Sequence, residues 1–239
     1  VKCNSYLIIT AFCKHKGATI RFIFLTAVGC LFPKDVNCFS FKKIKENHSP
    51  EEVTDLKEKF KAVWQVWKKV NQTVASQLPT GEFAKVHVES WTNGWNLRDH
   101  YWASYRLASL ADYNPCIGVM LDKKQLQVYL MFQHYKSEQR QGTPDEYNQL
   151  LDKVPEWANS IDATHWYLWD KDEMEFSDHL PLSKYLNNHD VQQQFNTEAR
   201  QTSFLLGKFA FRGKDQVDDM EEYIDSAIRQ LTSLYEELK

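Results

Sequence analysis

Glycine is scarce in this chain: eight in 239 residues, at positions 17, 29, 81, 94, 118, 142, 207 and 213. No two are separated by a single residue, so no Gly-x-Gly occurs anywhere. A dinucleotide-binding turn needs those glycines so that backbone can approach a pyrophosphate. Its absence excludes that mode of NAD or FAD binding, and no cofactor is expected. The stretch Gly207 to Lys214 comes nearest to a Walker A loop. It carries one residue too many between its glycines, and Asp215 stands where Ser or Thr would hold magnesium. Cysteine is also nearly missing from the body: Cys3, Cys13, Cys30 and Cys38 crowd the start, and only Cys116 follows. A disulfide framework would spread through the fold it staples, so the body reads as a reduced, cytoplasmic protein. No apolar run approaches the ~18 residues of a membrane span. The net charge of −3 supplies no general attraction to polyanions, so nucleic acid is not an expected partner. CxxC, HExxH and GxSxG motifs are absent, and His87, His134 and His165 do not pair at ligand spacing, so no metal is expected.

Aromatic residues, by contrast, are abundant: eight Trp, eleven Tyr and fourteen Phe. Rings in such number dominate a core or line a pocket. Residues 1–34 differ in composition from the rest, with apolar stretches at Tyr6–Cys13 and Phe22–Phe32 separated by Lys14, His15, Lys16 and Arg21. Three readings stay open for them: an export signal without an Ala-x-Ala site, a poor lipoprotein signal ending at Cys30, or a start placed too far upstream. The expected organisation is an atypical extension over 1–34 and a single domain over 35–239.

From residue 49 the signals are strong. Ser49-Pro50-Glu51-Glu52 is a capping box with Pro at the first helical position. Val53, Leu56, Phe60, Val63, Trp64 and Trp67 then recur on one helical face, predicting a helix to about Val70. Phe83 to Trp91 alternates as a strand, broken at Asn93-Gly94. Cys116–Leu121 and Leu126–Phe132, joined by Asp122-Lys123-Lys124, predict an antiparallel hairpin with Leu126, Val128, Leu130 and Phe132 on one face. Thr143-Pro144-Asp145-Glu146 opens a helix reaching Val154. Thr164–Trp169 predicts a strand, Asn188 to Phe204 a helical stretch, and Gly207–Arg212 a strand. Asp215 is expected to cap a last helix with the stripe Val217, Met220, Ile224, Ile228, Leu231, Leu234 and Leu238. Helices at both ends of a set of antiparallel strands define an α+β class, with an antiparallel sheet flanked by amphipathic helices.

Two constellations carry possible chemistry. Trp91, Trp95, Arg98, Tyr101, Trp102 and Arg106 interleave rings with guanidinium groups, a pattern that stacks a flat ligand. Arg98, Asp99 and His100 within that stretch are candidates for proton or anion chemistry. Lys208, Arg212 and Lys214, beside Gly213, are candidates for holding a small anionic ligand near a helix start. The competing readings are a core edge with an ordinary Arg–Asp pair and a solvated strand face. Two functions follow, a ligand-binding or interaction domain and an enzyme acting on a phosphorylated or nucleotide-like substrate, and the sequence leaves open whether the protein is an enzyme.

The Trp64-Gln65-Val66-Trp67-Lys68 helix, the Trp91–Arg106 segment, the Asn114-Pro115 hairpin and the Lys208–Lys214 strand together resemble a poorly characterised bacterial family of about this length. Some of its members are labelled glucose-6-phosphate 1-dehydrogenase. The resemblance implies that the N-terminal segment lies outside the family domain. Arg98-Asp99-His100-Tyr101 echoes the Asp-His-Tyr of true glucose-6-phosphate dehydrogenases, but the Gly-Lys that should follow is replaced by residues leading into Ser104.

Overall fold

A computed structural model of the chain describes residues 45–46, 48–94, 96–172 and 179–239. Residues 1–34 and Trp95 therefore lie outside the described residues. The first helix, α1 (Pro50–Gln77), starts as its capping box dictates: Ser49 Oγ accepts from the Glu52 amide, and the Glu52 carboxylate accepts from the Ser49 amide. It runs seven residues beyond Val70, because nothing there interrupts it. The stop comes at Leu78, which Pro79 holds in an extended conformation (ψ 154°). Val53, Phe60, Trp67, Asn71 and Val74 form its buried stripe.

The strands are β1 (His87–Val88), β2 (Thr92–Asn93), β3 (Asn96–Leu97), β4 (Tyr101–Tyr105), β5 (Pro115–Leu121), β6 (Gln125–Phe132), β7 (Trp166–Asp170), β8 (Leu180–Pro181) and β9 (Phe204–Phe211). Seven of them make one sheet in the order β1-β4-β5-β6-β9-β7-β8, each pair antiparallel, while β2 and β3 form a separate small hairpin. The remaining helices are α2 (Pro144–Asn148), α3 (Val154–Ala158), α4 (Leu182–Asn187), α5 (His189–Ala199) and α6 (Met220–Tyr235). The α+β class and the antiparallel sheet flanked by helices are thus observed.

Alternation sorts the strand residues onto two faces. Tyr101, Ala103, Tyr105, Ile117, Val119, Leu126, Val128, Leu130 and Leu206 meet α1 and α6 in the main core. Tyr101 and Tyr105, four apart on β4, donate their hydroxyls to Phe60 O (3.1 Å) and Asn71 O (3.0 Å) on α1. Eleven helical residues rise about 16 Å and four strand residues about 13 Å, so the helix lies along the strand it pins. The opposite face carries a second cluster, Trp102, Cys116, Met120, Tyr129, Trp169 and Phe209, every one a strand residue and every one buried.

Several local expectations are corrected. Phe83 to Trp91 is not one strand: Phe83 makes an isolated bridge to Leu107, and only His87–Val88 pair with β4. The helix expected through Val154 is split into α2, a 3-10 turn at Gln149–Asp152 and α3, with the Lys153 amide donating to Leu150 O, three residues back, where an α-helix would use Gln149 O. The helical stretch from 188 ends at Ala199, and β9 begins at Phe204, three residues before Gly207. The strand expected at Thr164–Trp169 runs from Trp166 to Asp170, and His165 precedes it at a left-handed φ of 64°. Finally, α6 starts at Met220 and is capped by Asp219, whose Oδ1 accepts from the Glu221 and Glu222 amides. Asp215 is spent differently. Its Oδ2 accepts from the Phe211 amide at 2.7 Å and closes the turn through Gly213.

Candidate functional site

Of the six side chains Trp91, Trp95, Arg98, Tyr101, Trp102 and Arg106, the five that lie among the described residues do not converge on one concavity. Trp91 packs against the main core and Tyr101 is buried in it, whereas Trp102 is on the second face, its Nε1 donating to the Tyr129 hydroxyl at 3.0 Å. Arg98 pairs with Glu89 at 3.0 Å and donates Nε to Ser90 O. Arg106, at the far end of β4, donates to Tyr113 O, Ser104 Oγ and the Gln133 side-chain oxygen. Arg98 thus precedes β4 and Arg106 follows it, so the two arginines lie at opposite ends of that strand. Trp95 is not described.

What the fold does bring together is one end of the sheet. Tyr101, at the start of β4, is paired with Leu121, the last residue of β5; Gln125, the first of β6, is paired with Phe211, the last of β9. Residues 98–100, 122–124 and 212–214 therefore emerge side by side. Three strand spacings of about 4.8 Å put the outer two segments roughly 14 Å apart.

The Asp122-Lys123-Lys124 turn is fixed by Asp122, which is buried and whose Oδ1 accepts from the Lys124 and Gln125 amides. That leaves Lys123 half-buried and Lys124 exposed at the tip. Arg212 is anchored to this turn, its amide donating to Lys124 O at 2.7 Å and its guanidinium to Lys123 O at 3.4 Å. Gly213 takes a φ of +77°, reversing the chain, so that Lys214 folds back with its ammonium 5.6 Å from the Phe211 ring. On the β4 side His100 Nδ1 lies 2.7 Å from Asp99 Oδ1. That hydrogen bond holds the Asp99 carboxyl below its ordinary value, with a smaller contribution from Lys123. The three carboxylates carried by these segments are all engaged: Asp99 by His100, Asp122 by two amides and Asp215 by the Phe211 amide. Lys123, Lys124, Arg212 and Lys214 stand on neighbouring segments of this sheet end.

Lys208 is not part of this group. It sits mid-strand opposite Val128 and Trp166, half-buried, with its ammonium 5.5 Å from the Tyr223 ring, and burial pulls its pKa below the ordinary value. The structure therefore joins Arg98, Asp99 and His100 to the end that holds Arg212 and Lys214, and separates Lys208 from them. Sequence reasoning missed Lys123 and Lys124 as site residues. The Asp-Lys-Lys turn was visible, but its neighbours follow from the β6–β9 pairing, which joins segments far apart in the chain.

Other reactive groups are closed off. The Cys116 thiol is fully buried, which pushes its pKa up to about 11. His134 Nε2 is 2.8 Å from Ser203 Oγ, but Ser203 is completely buried and cannot meet a substrate. Among the described residues no group of three His, Cys, Asp or Glu could hold a metal ion, and no helix is long and apolar enough to cross a membrane.

These features define an α+β domain with an antiparallel sheet, helices packed on one face of it and a basic patch at one sheet end. Residues 30–238 match the model of a protein family, and the chain belongs to that family. It is 29% identical over 213 residues to a Haemophilus influenzae protein named "Uncharacterized protein", an alignment covering 89% of this chain and 97% of that one.

Proposed function

We propose that the protein is a cytoplasmic ligand-binding domain for a small phosphate- or carboxylate-bearing ligand, held at the sheet end by Lys123, Arg212 and Lys214. The observation that supports this reading is the arrangement of basic groups there: Arg212 is anchored to the turn that carries Lys123, and Lys214 follows the chain reversal at Gly213. Arg212 offers a planar, multi-donor group suited to an oxyanion, and Lys123 and Lys124 act as point charges beside it. The cytoplasmic assignment rests on the cysteine distribution in the sequence.

A second reading, an enzyme acting on a phosphorylated substrate, is favoured by one feature. The Asp99–His100 pair lies at the same sheet end, and a carboxylate-oriented imidazole is the arrangement used for general acid–base catalysis. In that case the phosphate rests on Lys123 and Arg212 while His100 moves the proton.

The test compares melting temperatures in phosphate and chloride at matched ionic strength. Phosphate at 100 times its Kd adds about 2.7 kcal/mol, which in a chain of this size raises Tm by roughly 5–10 °C. Arg212→Ala is expected to abolish most of that rise while changing stability in chloride by no more than about 0.5 kcal/mol. Lys208→Ala is expected to keep the phosphate effect. A phosphate response that survives Arg212→Ala refutes the proposal. Loss of phosphate-ester turnover in His100→Gln, with phosphate binding intact, would select the enzyme reading.

A further inference from the structure

Away from the basic sheet end, a groove of about 560 Å³ runs between the second half of α1 and the outer edge of the sheet. Its floor is apolar, built from Ala75 on α1 and Phe83, Val86 and Val88 on the chain through β1, all half-buried. Lys68 and Lys85 stand on opposite walls, and no carboxylate is among the described lining residues. In a chain of net charge −3 this is a local reversal of sign.

The backbone of the sheet wall is itself a recognition element. β1 is the end strand of the sheet. The Glu89 amide donates to Trp102 O, which makes Glu89 and Trp102 a hydrogen-bonded pair of the antiparallel ladder. Alternation then turns the N–H and C=O of Val88, opposite Ala103, away from β4 toward the open edge, and the Val86 C=O, trans to the His87 amide, points the same way. No strand lies along that edge among the described residues. Such an edge, with a helix alongside forming a groove, can accept an added strand. The backbone then supplies hydrogen bonds and alternate side chains enter the groove.

We infer that this groove binds an extended acidic segment of a partner protein as an added strand on β1, its apolar side chains lying on Phe83, Val86 and Val88 and its carboxylates meeting Lys68 and Lys85. The occupant is acidic because both charged walls are lysine. It is extended because the donors and acceptors presented are those of a strand edge. An amphipathic helix would leave the Val86 C=O and the Val88 N–H and C=O unpaired.

The test uses the full chain, a short fluorescein-labelled peptide alternating Val and Glu, its Val-Lys counterpart, and the Val-Glu peptide N-methylated at alternate positions. Expected are saturable binding of the Val-Glu peptide alone and amide NMR shifts centred on residues 83–88. The N-methylated peptide loses about tenfold or more in affinity, as does the Val-Glu peptide toward the charge-reversed variant Lys68→Glu/Lys85→Glu. Both lysines are at the protein surface, so the variant folds, and an unchanged NMR spectrum outside the groove checks this. Arg212→Ala and added phosphate are expected to leave peptide binding unchanged, which separates this site from the basic sheet end. Equal binding of the Val-Lys peptide, or shifts centred on residues 122–124 and 212–214, overturns the inference. So does the absence of any shift at residues 83–88 at millimolar peptide.

Discussion

Gly207→Ala is expected to destabilise the protein by about 3 kcal/mol, the upper part of the usual range for overpacking a core. Gly207 lies in β9, opposite Tyr129 of β6 on one side and Tyr167 of β7 on the other. A Cβ there would stand 2.5 Å from Tyr129 Cβ, 2.8 Å from Val128 O and 3.0 Å from Tyr129 Cα. Two of those three atoms are backbone and the third is fixed to it, so relief requires the central strands to part. Gly118, on the far side of the same tyrosine, makes the control. Its added Cβ would meet the Tyr129 ring at 2.9 and 3.0 Å and Trp102 Nε1 at 3.1 Å. Those are side-chain atoms that can tilt away, at the cost of the Trp102–Tyr129 hydrogen bond, worth about 1 kcal/mol. Urea denaturation of the two variants should therefore rank Gly207→Ala clearly below Gly118→Ala. Equal midpoints would show that the sheet yields at β9 as easily as a ring rotates.

The pair of glycines also explains how the second sheet face is filled. With no side chain on Gly118, the Tyr129 ring leans over β5, and its hydroxyl reaches Trp102 one strand further on. Trp169 tilts against the same ring from the other side at a centroid separation of 5.6 Å. Abundant rings in the sequence pointed to a ring-dominated interior. They gave no sign that it would divide into two clusters on opposite faces of one sheet. That division comes from alternation along β4, which sends Tyr101 and Tyr105 one way and Trp102 the other.

Local chemistry was legible in the sequence and long-range pairing was not. Both capping boxes form as read, because Ser49/Glu52 and Thr143/Glu146 satisfy their own amides without help from the rest of the fold. The 115–132 hairpin is equally local, and its inward face is the one that alternation selects. The cap of α6 failed because Asp215, Asp218 and Asp219 are all competent by residue type. Asp215 was diverted by Gly213, whose reversal returns the chain to the Phe211 amide, so the helix waits for Asp219. The candidate site suffered most from the missing topology. Arg98, Asp99, His100, Arg212 and Lys214 share one sheet end through Lys123, but only because β9 is inserted beside β6. Nothing in the residues between Lys124 and Phe204 announces that insertion.

Trp67→Ala is expected to cost about 3–5 kcal/mol, the range for truncating a large ring inside a packed core. Trp67 is fully buried on the stripe by which α1 meets β4 and α6. The loss goes beyond one ring's contacts, because α1 is the frame on which β4 hangs. Phe60 O and Asn71 O, on either side of Trp67, hold the Tyr101 and Tyr105 hydroxyls, and the Asn71 amide donates to Trp67 O. A cavity between those two anchors loosens the start of β4, and with it Asp99 and His100. Trp67→Phe separates packing from polarity. The indole Nε1 is buried without a hydrogen-bond partner among the described residues, an arrangement that costs about 1–3 kcal/mol. Phenylalanine keeps most of the ring and removes that donor, so its net cost should stay under about 1.5 kcal/mol. Denaturant titrations should show the alanine variant's midpoint falling with little change in m, and the phenylalanine variant near wild type. An alanine variant losing less than about 1 kcal/mol would mean that α1 is not the frame of the fold. A phenylalanine variant as damaged as the alanine one would mean that the indole nitrogen has a partner after all.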